Sequence, residues 1–207
     1  RLDQVAEIAG VSLARPGQSC SNWAWAAALE AILRQQKVDL SQRFWVQKLN
    51  GGELCMDRPI VVHESGRRAA PDDVQPQDLS LLARGISGDY TLDDGRKFKL
   101  TARSSAGLPV APDALIADAR AGRPSLIFWN NRAYLLYSIT YDELIYPTGQ
   151  REFITKQLKL LDPLESGEKQ KVSFVIGQDD VAEIQGVVQV TATPVLGTNW
   201  DPMRKQP

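Results

Sequence analysis

Residues 18–33, QSCSNWAWAAALEAIL, constrain this chain more than any other stretch. Trp25, Leu29, Ile32 and Leu33 recur at i, i+4, i+7 and i+8, which draws one apolar stripe along a helix over about residues 22–36. Glu30, Arg34 and Gln35 are expected to face elsewhere, and Ser21 or Asn22 to cap the N-terminus. A helix N-terminus carries unsatisfied N–H groups and a positive partial charge, so it lowers the pKa of a thiol and holds an oxyanion. Gln18, six residues before Ala24, is placed to add a side-chain donor. The position between the two tryptophans, where a nucleophile would stand, is nevertheless Ala24.

The rest of the chain punctuates itself. A second helix is expected from the N-cap Ser41 through Phe44, Trp45 and Leu49 to a stop at Gly51-Gly52. Residues 56–77 read mostly as loop, and 78–84 as a short helix ended by Gly85. A hairpin pairs 89–92 with 97–101 through Asp94-Gly95, and Pro112 opens a helix that Gly122 ends. Strands are expected over 125–129, 134–141, 153–161, 171–176 and 187–193, and the first seventeen residues as a lead-in with a short strand or helix. Helices first and strands later predict an α+β fold in one domain, about 15–88 a helical lobe and 89–200 mainly a β-lobe.

Composition narrows the function. A net charge of −1 with both signs interspersed gives no electrostatic footprint for nucleic acid, and no apolar run reaches the length of a membrane span. The single histidine, His63, and the lack of Cys-x-x-Cys spacing give a metal site no support, and no cofactor is expected. The acidic pairs Asp72-Asp73 and Asp179-Asp180 sit in polar turns and read as turn formers. The chain begins with Arg rather than Met, so a mature form or an excised piece is expected. By count alone, Cys20 and Cys55 leave one disulfide and two buried thiols as alternatives.

The opening block resembles the active-site entrance of papain-like cysteine peptidases, especially a bacterial branch written N-W-C-W-A-A. Gln18, Trp23, Trp25, Ala26 and Ala27 match that pattern, with Ala24 at the nucleophile position. The second half also agrees. The family opens a β-lobe strand with a pattern like G-H-x-Y-V-L-Y-G-x-x-Y-D, and here Tyr134, Tyr137, Tyr141 and Asp142 fall into register if Arg132 takes the His position. A slip of one residue puts Ala133 there. Asp162-Pro163 then matches the branch's carboxylate that orients the His. The resemblance implies an N-terminal helical lobe packed on an antiparallel β-lobe, with a cleft between. It also implies a Cys20–Cys55 disulfide, an oxyanion role for Gln18, and an extracytoplasmic or secreted location.

Alanine cannot attack a carbonyl, and arginine is always protonated and cannot act as a base, so the chain as written should not run thiol chemistry. A pseudopeptidase is expected, holding a peptide or protein partner in the cleft beside Trp23 and Trp25. The alternatives are a genuine peptidase, such as a secreted bacterial effector or toxin, disarmed by substitution at Ala24, and an interaction domain with only architectural likeness. A working pair of Cys20 and His63 is disfavoured, because Cys20 lies outside the helix start and His63 outside the β-lobe strand.

Overall fold

The computed structural model describes residues 1–11, 19–20, 22–52, 55, 61–62, 68–69, 78–108, 112–163 and 175–196. In chain order the strands are β1 (Gln4–Glu7), β2 (Val61–Val62), β3 (Arg68–Ala69), β4 (Gly88–Thr91), β5 (Lys97–Ala106), β6 (Ser125–Trp129), β7 (Arg132–Ile145), β8 (Arg151–Leu161), β9 (Val175–Gly177) and β10 (Ile184–Pro194). The helices are α1 (Ala24–Gln35), α2 (Gln42–Asn50), α3 (Leu79–Ile86) and α4 (Asp113–Arg120). An eight-stranded antiparallel sheet runs in the order β4-β5-β10-β6-β7-β8-β9. β1 continues the edge of β7 that β6 leaves, pairing Gln4 with Tyr141 and Glu7 with Ser138.

Side-chain alternation divides the core into two clusters. Leu126 and Phe128 of β6 join Ala133 and Leu135 of β7 beneath α1, α2 and α3. Ile127 and Trp129 join Tyr134 and Leu136 on the other face, with Leu115, Ile116 and Ala119 of α4 and Ala6 of β1. The chain is therefore α+β, with helices packed on an antiparallel sheet. The fourth helix lies on the face opposite the other three.

The α1 stripe is broader than expected. The helix opens at Ala24 rather than Asn22, with Trp23 as a cap residue that makes no side-chain cap bond. Every residue from Ala24 to Leu33 is buried, Glu30 included, because alanines fill the positions between the large side chains and let neighbouring layers close in. Gln36 then ties the end of α1 to β10, its amide donating to Val190 O at 2.9 Å and accepting from Ala192 N at 2.8 Å. That amide takes the place of a neighbouring strand where β10 runs beyond β6.

α2 has the expected caps, Ser41 Oγ accepting from Phe44 N at 3.1 Å and Gly51 closing the helix in the left-handed conformation. α3 runs through Gly85 to Ile86 instead of ending there. A Cβ at Gly85 would lie 2.5 Å from Leu49 Cδ2, so this glycine serves the close approach of α3 to α2. The lead-in holds a strand, β1. Of the region read as loop, the described residues pair as β2 and β3. β6 has the expected bounds, while β7, β8 and β10 are longer than expected because each is extended by its hairpin or ladder partner. Of the expected strand over 171–176, residues 175–176 are described and belong to β9.

Candidate functional site

Ala24 is the first residue of α1 and has no solvent exposure. The chain reaches it through one local turn and a series of longer-range links. Trp23 N–H donates to Cys20 O at 3.0 Å, and Cys20 is disulfide-bonded to Cys55, with Cα atoms 5.6 Å apart. Ser19 N–H donates to Gln42 Oε1 at 2.9 Å, and Gln42 N–H donates to Glu30 Oε2 at 2.8 Å. The buried Glu30 carboxylate, 3.5 Å from the Arg34 guanidinium, thus sits at the positive end of α2 and anchors that helix to α1. Sequence reasoning missed this link, because only the fold brings Glu30 to the start of α2. Trp23 and Trp25 are each 2% exposed and belong to the core. Gln18 and His63 lie outside the described residues.

The second half of the site is set by a turn. Asn130 and Asn131 both adopt positive φ, the backbone required by a two-residue type I′ hairpin. Asn131 N–H donates to Gln185 Oε1 at 2.6 Å, and Gln185 Nε2 returns a bond to Asn131 Oδ1 at 2.7 Å, fixing the turn to β10. The turn sets Trp129 opposite Arg132 and Phe128 opposite Ala133. Residues directly opposite share a face. Arg132 therefore has the parity of Trp129, on the α4 side, and Ala133 that of Phe128, on the α1 side with Ala24. The signal was present in the sequence as Asn130-Asn131.

Arg132 has no exposure, and its Nη2 donates to Asp162 Oδ1 at 3.0 Å. Asp162 is 1% exposed. The structure thus joins Arg132 to the carboxylate expected to orient a histidine. Ala24 and Ala133 lie in one buried cluster across the α1 face. Neither methyl group ionises, accepts a proton or attacks a carbonyl, and a guanidinium offers donors but no acceptor. A thiol at position 24 would stand at the positive end of a 12-residue helix.

The perturbed ionisable groups lie elsewhere. The Asp3 backbone N–H, assisted by Lys156, lowers the Asp142 carboxyl against a smaller desolvation cost. A hydrogen bond from Lys159 lowers Glu7. Burial pushes the Tyr90 phenol up to about 12, and its hydroxyl donates to Ile86 O at 2.7 Å. Among the described residues no group of three or more His, Cys, Asp or Glu side chains is placed to hold a metal ion. No helix among them is long and apolar enough to cross a membrane.

No family model matches the chain, and no curated protein matches it. Among solved structures it is similar to the crystal structure of UfSP from C. elegans, at a TM-score of 0.41 and 15% identity. The match covers 93% of this chain and 35% of that one, so this chain spans about a third of the UfSP structure's length.

Proposed function

We propose that the chain is a papain-like cysteine-peptidase fold in which Ala24 holds the nucleophile position and Ala133 the general-base position. As written it binds a peptide or protein partner and does not cleave it. The observation that carries this reading is the shared burial of Ala24 and Ala133 on the α1 face, with Arg132 on the parity of the opposite face. A Cys and a His at 24 and 133 would be on the same side of the sheet, as nucleophile and base must be. Asp162, the group that would orient the His, is engaged by Arg132, which favours a site retired from chemistry over one lacking a single atom.

A second reading has one observation in its favour: both positions are alanine, the residue chosen to disarm an enzyme. On that reading the wild-type protein is an active peptidase, a secreted bacterial effector or toxin. The Cys20–Cys55 disulfide supports an extracytoplasmic setting on either reading.

One experiment separates the two. Ala24→Cys/Ala133→His is compared with Ala24→Cys alone and Ala24→Cys/Arg132→His, using a thiol-directed probe and a peptide substrate. The pseudopeptidase reading expects slow labelling at equal rates in all three and no hydrolysis. Fast labelling and hydrolysis confined to the Ala133→His pair would establish the disarmed enzyme. Activity confined to the Arg132→His pair would overturn the assignment of Ala133.

A further inference from the structure

We propose that the outer edge of β8 at Phe153 and Thr155 is a docking site for an extended peptide that carries an apolar side chain beside a basic one. The site is on the sheet face opposite α1, so it stands or falls independently of the reading of Ala24.

Backbone geometry carries the argument. Glu143 N–H donates to Arg1 O at 2.8 Å, and Glu143 O accepts from Arg1 N at 2.7 Å. Both main-chain groups of Glu143 are thus used on the edge of β7 away from β8. Glu143 stands opposite Phe153, so that pair exchanges no main-chain bonds, and the N–H and C=O of Phe153 point outward from β8. Thr155, two residues on in an unbroken register, points the same way. β9 covers β8 only over Gln157, Leu158 and Lys159. Among the described residues no strand pairs with Phe153 or Thr155 on that side, which leaves a β-edge with donors and acceptors at strand spacing.

A cavity of about 500 Å³ adjoins that edge, within the usual range for ligand sites. Leu108, Phe153, Val181 and Ile184 form apolar walls, and Thr155 and Gln178 contribute polar atoms. Gln178 leads into Asp179 and Asp180, both exposed and outside any ion pair among the described residues. Unpaired strand groups select a peptide backbone over a compact apolar molecule. Alternate side chains of an added strand would enter the cavity, and the two carboxylates complement a basic neighbour.

The test uses the full chain and the hexapeptide acetyl-Thr-Lys-Ile-Thr-Ile-Lys-amide, followed by backbone amide NMR. The expected result is a saturable shift of the Phe153 and Thr155 amides. N-methylation of the peptide at alternate amides removes the donors that would meet the β8 edge and should weaken binding about tenfold or more. Ala182→Trp, at an exposed wall of the cavity, should weaken it similarly, and Asp179→Lys/Asp180→Lys about threefold or more at low salt. Equal binding of the parent and N-methylated peptides by the unaltered chain would overturn the proposal. So would shifts confined to residues off β8, or no shift at millimolar peptide.

Discussion

Phe128 and Ala133 face each other across the β6–β7 hairpin on the side that α1 covers, while Trp129 and Arg132, one step nearer the turn, take the other side. Ala133 has no exposed surface. Replacing it with His forces a larger side chain into a packed cluster, at an expected cost of about 1–3 kcal/mol. Urea unfolding of Ala133→His against the parent chain measures this. A cost near zero would mean that position 133 already opens onto a void or solvent.

The Arg132–Asp162 pair is buried on both sides, so removing one partner strands the other charge. Asp162→Leu alone should cost about 3–5 kcal/mol, whereas Asp162→Leu with Arg132→Met should recover most of that loss, because well-packed apolar pairs often replace buried ion pairs without penalty. A double-mutant cycle from denaturant melts gives the coupling. If the single and double variants are equally destabilised, the pair is not what holds the start of β7 to the end of β8.

Much of this arrangement was legible from local signals. The Trp25–Leu33 spacing marked α1, and Ser41 and Gly51 marked both ends of α2. Residues 125–129 form the strand their pattern foretold. Other features depend on partners remote in sequence. Glu30 reads only as a residue off the apolar stripe, and the fold alone brings the Gln42 N–H to it. Gly85 looked like a helix stop because a glycine that ends a helix and one that admits a neighbouring side chain read alike in sequence. The faces taken by Arg132 and Ala133 were legible too, since the Asn130-Asn131 turn sets Arg132 opposite Trp129 and Ala133 opposite Phe128.

Among the described residues, the two glycines with close contacts should respond differently to alanine. At Gly85 the added Cβ meets only the flexible tip of Leu49, and alanine also gains up to about 1 kcal/mol of helix propensity, so the net change should be small. At Gly186 the Cβ would meet Leu79 Cδ1 at 2.1 Å and the Ser105 backbone oxygen at 3.0 Å. That backbone atom cannot turn aside, so Gly186→Ala should cost about 1–3 kcal/mol, with only partial relief from Leu79→Ala. Thermal melts of the variants rank these effects; a larger loss at Gly85 would reverse the argument.

Glu30 is the acceptor for the first N–H of α2. Glu30→Ala should cost about 1.5–3 kcal/mol, the range for a hydrogen bond to a charged group, and should loosen Ser19 through Gln42. Hydrogen exchange resolves the second effect. Faster exchange at Ser19 and Gln42, with α4 unchanged, is expected; uniform acceleration would point to global destabilisation without the relay.

Acid should release β1 ahead of the sheet. Asp142 holds the Asp3 N–H at 2.9 Å and Lys156 at 3.3 Å, while Lys159 lies 3.1 Å from Glu7. Both carboxyls are lowered in the folded state, the first mainly by the Asp3 N–H and the second mainly by the Lys159 hydrogen bond. A depressed carboxyl stabilises the fold fully above its unfolded pKa of roughly 4 and loses that contribution as pH falls through the folded value. Protection factors of Ala6 and Ile8, whose N–H groups face β7, corrected for intrinsic exchange, should therefore fall as pH drops below about 4 more than those of β6. Glu7→Gln/Asp142→Asn should flatten that dependence. Parallel loss of protection in β1 and β6 in both proteins would show that the sheet opens as one unit and that these carboxylates do not govern the edge.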